Sequence, residues 1–338
     1  MTENLTPRQI LDGLLRGLEP PRPLFLPIVF SLGAKLENLP LSAFLSNATK
    51  LSNSLRQIHS RLRADGLSCY FDRYLEAEAL GGALEWNTEE RPTIHWPGRA
   101  VKGELPEGIR SPEAAAKRGR VGVALDVIRR LKSLVRDGSL LMAGVTGPFT
   151  LAARLTQFEE GDSLRSEHRP DDALEVAASL MMHLSAVYVE AGANLVFIQE
   201  EVLPRLSSES CEAWAERLAP AFNLIRFYQA LPVLHLTGHR SFAENSEVIL
   251  QQPWNCLVCP TLDVTSSRAT QIFRSGDMIV GIALPLEVLQ PDKTSDEDLD
   301  RFLHHTMSEL RPAILTTAGD VPAGTDLKRL KRVSAFCR

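Results

Sequence analysis

Cysteine is scarce in this chain of 338 residues, clustered positive charge is missing, and no uninterrupted apolar run reaches membrane-spanning length. Cys69, Cys211, Cys256, Cys259 and Cys337 are too few and too scattered for the disulfide framework of a small secreted fold. A phosphate backbone is gripped by grouped lysines and arginines. With a net charge of −5 and its cations dispersed, the chain is not expected to bind nucleic acid. A membrane span needs about 18 or more apolar residues in succession, and none is seen. The opening Met1–Pro7 has neither the basic nor the apolar region of a signal peptide. No Gly-x-Gly-x-x-Gly follows the first apolar run, which speaks against an open dinucleotide-binding sheet. The expectation is a reduced, cytoplasmic protein with no membrane or nucleic-acid partner.

What is present is alternation. Eight short apolar, β-branched runs stand out: Pro23–Phe30, Leu67–Phe71, Leu140–Val145, Leu195–Ile198, Pro232–Leu236, Cys256–Pro260, Met278–Leu284 and Ala313–Thr317. Helical periodicity fills most of the gaps, over Leu41–Leu62, Arg118–Val135, Asp171–Glu190, Glu212–Tyr228, Val264–Phe273 and Asp296–Leu310. In the second of these, Val121, Leu125, Ile128, Leu131 and Val135 recur at three- and four-residue steps between charged positions. Strands that alternate with helices imply parallel βα units, and eight of them imply an α/β fold of the (β/α)8 TIM-barrel type. One domain over 1–338, with its core at about 23–333, accommodates the whole pattern. The stretch Ala77–Pro112, with Trp86, Pro92, Trp96, Gly98 and Pro106, breaks the rhythm as an excursion between the second and third runs.

In such a barrel the chemistry sits at the C-terminal ends of the strands. The fifth run closes on His235-Leu236-Thr237-Gly238-His239. Residues two apart on a strand share a face, so His235 and Thr237 point together, with His239 just beyond. The second run ends at Asp72, with Arg73 behind it. The third ends in Thr146-Gly147-Pro148, a turn into a helix that carries Arg154. The fourth ends in Gln199-Glu200-Glu201, where at most one of two adjacent carboxylates faces the barrel and the other is solvated or paired with an arginine. The sixth and eighth end near Asp263 and Asp320. Each has a plainer reading: Asp72, Asp263 and Asp320 as caps of helices or turns, His235 as a satisfied core histidine, Arg154 as a surface residue. Cys256-x-x-Cys259 lies inside a strand-like run, where residues three apart face opposite ways; buried structural cysteines fit that better than a metal or redox pair.

These residues together resemble the uroporphyrinogen decarboxylase superfamily. The resemblance is carried by Gly144-Val145-Thr146-Gly147-Pro148-Phe149-Thr150-Leu151-Ala152, by Ala191-Gly192-Ala193-Asn194, by Asp72 with Glu76-Ala77-Glu78-Ala79-Leu80-Gly81, and by Thr317-Ala318-Gly319-Asp320-Val321-Pro322. It implies a (β/α)8 barrel. In the decarboxylases it implies no cofactor, and an aspartate, matched by Asp72, that holds the pyrrole N–H groups; losing such an acceptor costs about 1.5–3 kcal/mol. Those enzymes also bind substrate carboxylates through an arginine-rich loop after the first strand, which here reads Ser31-Leu32-Gly33-Ala34-Lys35 with one cation. Arg154 stands where that group has a tyrosine, and Asp320 where it has a histidine.

The chain is more similar to the superfamily's corrinoid-dependent methyltransferase branch. Its thiol-methylating members hold zinc through His-x-Cys and a second cysteine at strand ends, and here those positions are His235, Thr237 and Asp320. Only the histidine remains, and a zinc that must keep a thiolate nucleophilic favours sulfur ligands. The resemblance leaves a zinc or other divalent site made of harder ligands, His235, Asp320 and Glu200, or no metal at all. The leading expectation is an enzyme that moves a methyl group from a small O- or N-methyl donor to a corrinoid carried by a partner protein. Asp72, Glu201 and His235 are its expected catalytic groups, and Lys35, Thr146, Arg154, Thr237 and His239 its expected substrate contacts. A cofactor-free tetrapyrrole decarboxylase centred on Asp72 is the alternative, and a catalytically silent tetrapyrrole or corrinoid binder a third. Leucine- and alanine-rich helix faces permit a homodimer.

Overall fold

The computed structural model describes residues 5–86, 92–96, 103–135, 138–157, 171–260, 278–322 and 324–338. Its strands are β1 (Leu24–Phe25), β2 (Gly66–Tyr70), β3 (Ala83–Trp86), β4 (Pro92–His95), β5 (Leu140–Thr146), β6 (Leu195–Glu200), β7 (Leu231–Leu236), β8 (Cys256–Pro260), β9 (Ile279–Leu284) and β10 (Ile314–Thr317). Eight of them form one parallel sheet in the order β1-β10-β9-β8-β7-β6-β5-β2. The other two, β3 and β4, pair as an antiparallel hairpin inside the expected excursion. The fold is the (β/α)8 barrel that the alternation implies.

The barrel closes between β1 and β2 without a regular ladder. Pro23 and Pro27 have no N–H to donate, so the expected first strand over Pro23–Phe30 is regular only at Leu24–Phe25. One backbone bond and several side chains supply the missing rungs. The Asp65 amide donates to the Phe25 carbonyl at 2.9 Å, and the Phe25 amide donates to Asp65 Oδ2 at 2.8 Å. Farther along, Ser68 Oγ accepts from the Val29 amide at 3.1 Å and donates to the Pro27 carbonyl at 3.0 Å. Asp65 is also held by both terminal nitrogens of Arg22, at 2.7 and 2.8 Å.

Around the sheet run α1 (Pro7–Leu15), α2 (Leu32–Leu36), α3 (Leu41–Leu45), α4 (Ala48–Leu62), α5 (Leu75–Leu80), α6 (Pro112–Ala115), α7 (Val121–Leu134), α8 (Pro148–Leu155), α9 (Asp171–Ala191), α10 (Ser208–Phe227), α11 (His239–Ile249), α12 (Asp296–His305) and α13 (Leu327–Phe336). The single helix expected over Leu41–Leu62 is two, because Asn47 turns extended and caps α4 by accepting the Lys50 amide at 3.0 Å. The segment expected to be helical to Leu310 leaves the α-helical pattern at Thr306 for one π-helical turn. The helix expected over Val264–Phe273 lies outside the described residues. By length and composition α9 is apolar enough to span a membrane; its apolar residues Leu180, Met181, Leu184 and Tyr188 are buried in the ring of helices.

Inside, the barrel is filled rather than open. Phe71 reaches across β5 at Gly144, where an added Cβ would lie 2.6 Å from the ring, and meets Phe197 of β6 edge-on at 5.9 Å. All five cysteines are free and buried, as expected for Cys256 and Cys259 on β8.

The seam gives a direct stability test. Asp65→Ala strands the Phe25 amide and the Arg22 guanidinium, so it should lower unfolding free energy by about 3 kcal/mol. Urea unfolding checks it, and a loss below about 1 kcal/mol would show that the seam does not depend on this carboxylate.

Candidate active site

Parallel register sets Thr146, Gln199 and His235 side by side at the ends of β5, β6 and β7. Paired residues of parallel strands share a face, so these three continue the inward rows begun by Gly144 and Phe197. His235 is completely buried. Its ring stands edge-on to Phe197, with centroids 5.7 Å apart, and its Nδ1 lies 3.3 Å from Gln199 Nε2. Its Nε2 is buried with no hydrogen-bond partner. Burial alone pulls its pKa down to about 3, so the imidazole is neutral at physiological pH. A buried polar atom left unpaired costs about 1–3 kcal/mol. It is the fully buried polar atom of this inward row that has no partner.

Glu200 is also buried, but its oxygens are occupied. They accept the Phe149 amide at 3.0 Å, the Thr150 amide at 2.8 Å and the Thr150 hydroxyl at 2.6 Å. Those amides belong to the first turn of α8, whose N-cap residue Gly147 has no side chain to offer. Glu200 thus caps α8 from a neighbouring strand and meets the positive end of the helix dipole. Gly147 leaves the room: a Cβ there would sit 2.3 Å from Glu200 Cδ. Thr150 Oγ1 in turn accepts the amides of Glu201 and Val202, at 2.8 and 3.1 Å. The Glu200 carbonyl accepts the Thr237 amide at 2.9 Å and its hydroxyl at 3.3 Å. Burial outweighs the three donors and pushes the Glu200 carboxyl up to about 7.

Glu201 is paired with Arg73 and, at 3.2 Å, with Arg154; these cations hold its carboxyl below the usual range despite partial burial. The arginine pairing expected of one of these two carboxylates falls to Glu201, while Glu200 caps a helix rather than projecting free into the barrel. Arg154 also donates to Thr146 Oγ1 at 3.3 Å. Thr146 is gripped from beneath by buried Glu76, whose oxygens accept its amide at 2.7 Å and its hydroxyl at 2.9 Å. Asp72 is paired with Arg120 and accepts the Tyr74 amide at 3.0 Å. Arg120 Nε also donates to Glu78 at 2.6 Å, while its Nη2 has no partner.

Other expected residues sit apart. Asp320 accepts the amides of Phe30 and Ser31 at 2.7 and 2.9 Å, and burial lifts its carboxyl to about 6. It fixes the turn into α2. Lys35, on that helix, is exposed. His239 opens α11 after Gly238, and its side chain, like Asp263, lies outside the described residues. The metal set His235, Asp320 and Glu200 is not assembled: both carboxylates spend both oxygens on backbone amides. Among the described residues no three His, Cys, Asp or Glu side chains converge. A zinc held by the family's donor set does not fit these residues. Glu76, Arg120, Thr150 and Gln199 were not singled out as site residues from sequence. Glu76 and Thr150 stood inside the quoted motifs and Gln199 at the named end of the fourth run, whereas nothing local marks Arg120.

Glu200 gives a pH-dependent outcome. Its folded pKa lies above the unfolded value, so its contribution to stability is complete below about 4.5 and is lost as pH rises through about 7. His235 has the opposite slope, because its folded pKa is depressed, so the readout is a difference between proteins. Glu200→Gln should cost stability at pH 5, and its deficit against wild type should shrink by up to about 3 kcal/mol by pH 8. Thermal unfolding at both values tests it; a deficit that grows with pH would show that Glu200 is ionised throughout.

The family model for uroporphyrinogen decarboxylase matches residues 14–338. A methylated-thiol–coenzyme M methyltransferase of Methanosarcina mazei is 26% identical over 275 residues, covering 79% of this chain and 71% of that protein. A solved methyltransferase from Methanosarcina mazei superposes with a TM-score of 0.78 over 98% of both chains, at 17% identity. A B12-independent methionine synthase from a Shewanella species, solved with selenomethionine, gives 0.54 over 94% of both chains at 10% identity. At such identities the two solved structures speak for the barrel alone. The family match spans the motifs at the ends of β2, β5, β6 and β10, from α8's Glu200 cap to the Asp320 turn, and the chain belongs to the uroporphyrinogen decarboxylase family.

Proposed function

We propose that this protein is a methyltransferase that takes a methyl group from a small O- or N-methyl donor and delivers it to a corrinoid on a partner protein. The observation that carries this reading is His235, neutral, fully buried and unpartnered at Nε2, among charges that are already paired with one another. Around it the described strand ends hold Asp72 and Glu78 against Arg120 and Glu201 against Arg73 and Arg154, while Glu76 and Glu200 accept from backbone amides and threonine hydroxyls. Such a rim has no surplus cation for a polycarboxylate, which calls for bidentate arginine partners. The loop after β1 adds only exposed Lys35. A small, uncharged donor suits it better than a tetrapyrrole acid, and the 26% identity to the methylated-thiol–coenzyme M methyltransferase of Methanosarcina mazei supports methyl transfer over decarboxylation.

The chain's own residues then act as follows. The donor's methyl–heteroatom bond breaks with its electron pair left on the heteroatom, and the partner's corrinoid supplies the methyl acceptor when bound. His235 polarises the heteroatom through Nε2. With its pKa at about 3 the imidazole carries no spare proton to give, so the departing atom takes its proton from water. Glu201, kept ionised by Arg73 and Arg154, is no proton donor either; it holds Arg154 over Thr146. Thr146 and Arg154 bind the rest of the donor. Asp72 holds Arg120 in place.

Reduced cobalamin in solution, offered with a panel of O-, N- and S-methyl compounds, tests the reading through the absorbance change on methylation. Wild type should transfer methyl from at least one donor, and His235→Ala should lower kcat/KM by about 10²-fold, as for loss of one buried donor to a reacting atom. Transfer from no donor, with carbon dioxide released from uroporphyrinogen, would overturn it in favour of a decarboxylase. Tetrapyrrole binding with neither reaction would overturn it in favour of a silent binder.

A further inference from the structure

We propose that Gln199 fixes the tautomer of His235, so that Nε2 carries the proton and the site selects an uncharged oxygen atom, as in an O-methyl ether, in place of a metal ion, a thioether or an ammonium group. Only the identity of the ligand rests on the methyl-transfer reading; the tautomer does not.

The argument begins with register. Gln199 and His235 are paired positions on adjacent parallel strands, so their side chains emerge side by side on one face. The amide nitrogen of Gln199 lies 3.3 Å from His235 Nδ1. An amide nitrogen only donates, so Nδ1 must present its lone pair. A neutral imidazole has one ring N–H, and it is then on Nε2. Phe197, edge-on to the ring at 5.7 Å, confines its orientation.

Among the described residues no carboxylate competes for that N–H. The Glu200 oxygens face Phe149 and Thr150, those of Asp320 face Phe30 and Ser31, and Glu201 is held by Arg73 and Arg154. The opposite amide orientation would put the lone pair on Nε2, which suits a cation. Yet among the described residues no further ligands gather to complete a metal site. A buried N–H without a partner asks for an acceptor. Ether, hydroxyl and carbonyl oxygens accept strongly, a thioether sulfur weakly, and a protonated amine not at all. Gln199 is thus a positioning residue, acting through His235.

Wild-type protein labelled with 15N at histidine answers the central point by long-range proton–nitrogen correlation spectra. The expected His235 pattern has Nε2 in the protonated and Nδ1 in the unprotonated shift range, unchanged by one equivalent of zinc chloride. The signal is assigned by its disappearance in His235→Gln, or by its displacement in Gln199→Leu should the first variant not fold. Gln199→Glu, whose carboxylate accepts, should move the proton to Nδ1. A wild-type pattern with Nδ1 protonated, or loss of the Nε2 proton on zinc addition, would overturn the proposal. In the cobalamin assay, Gln199→Leu should lower kcat/KM for an O-methyl donor about tenfold, with melting temperature little changed. The expected tautomer with no methyl transfer from any donor would sink the function reading and leave the tautomer standing. Faster transfer from thioethers than from ethers would overturn the selectivity.

Discussion

The candidate site depends on a carboxyl group that never meets the ligand. Glu200 caps α8 from the end of β6, and its own backbone carbonyl receives Thr237 beyond the end of β7. One residue therefore ties the exits of β5, β6 and β7, the three strands that carry Thr146, Gln199 and His235. The constraint reaches back into the sequence, because Gly147 must lack a side chain for Glu200 to fit. A serine or aspartate at position 147 would cap α8 in the ordinary way. The chain instead imports its cap from 50 residues away and so locks two βα units to each other.

Charge at the rim follows the same rule of mutual commitment. Arg120 serves Asp72 and Glu78, and Arg73 with Arg154 serves Glu201. Ion pairs of this kind contribute little net stability when exposed and are costly to break when buried. Their effect here is to commit the rim's charges to one another, while burial keeps the His235 imidazole neutral.

The barrel was legible in the chain because each strand announces itself locally. Runs such as Leu195–Ile198 and Cys256–Pro260 have their own β-branched bias and stop abruptly at polar residues. The site positions were legible for the same reason, since barrel chemistry sits at strand ends. What each polar group does there was not. Glu200 read as a carboxylate suited to a metal, and Asp320 as either that or the cap of a turn; the oxygens of both are consumed by backbone amides distant in sequence and brought close only by folding. Gln199 carries no charge and makes no motif; its importance arises from register with His235. The excursion's hairpin and the break before Asn47 were hidden because turn geometry, not hydrophobic period, decides them.

The closure of the barrel has a temporal consequence. Strand β10 pairs with β1, and Asp320 takes the amide of Phe30 across a separation of 290 residues. A ribosome adding roughly 5–20 residues per second needs on the order of tens of seconds to make that stretch. Throughout it the growing chain holds an incomplete sheet, with β1 an open edge and the Phe30 and Ser31 amides beyond it still without Asp320. Such an edge is a template for another strand. Two prolines, which deny it amide donors at positions 23 and 27, make β1 a poor template during that interval.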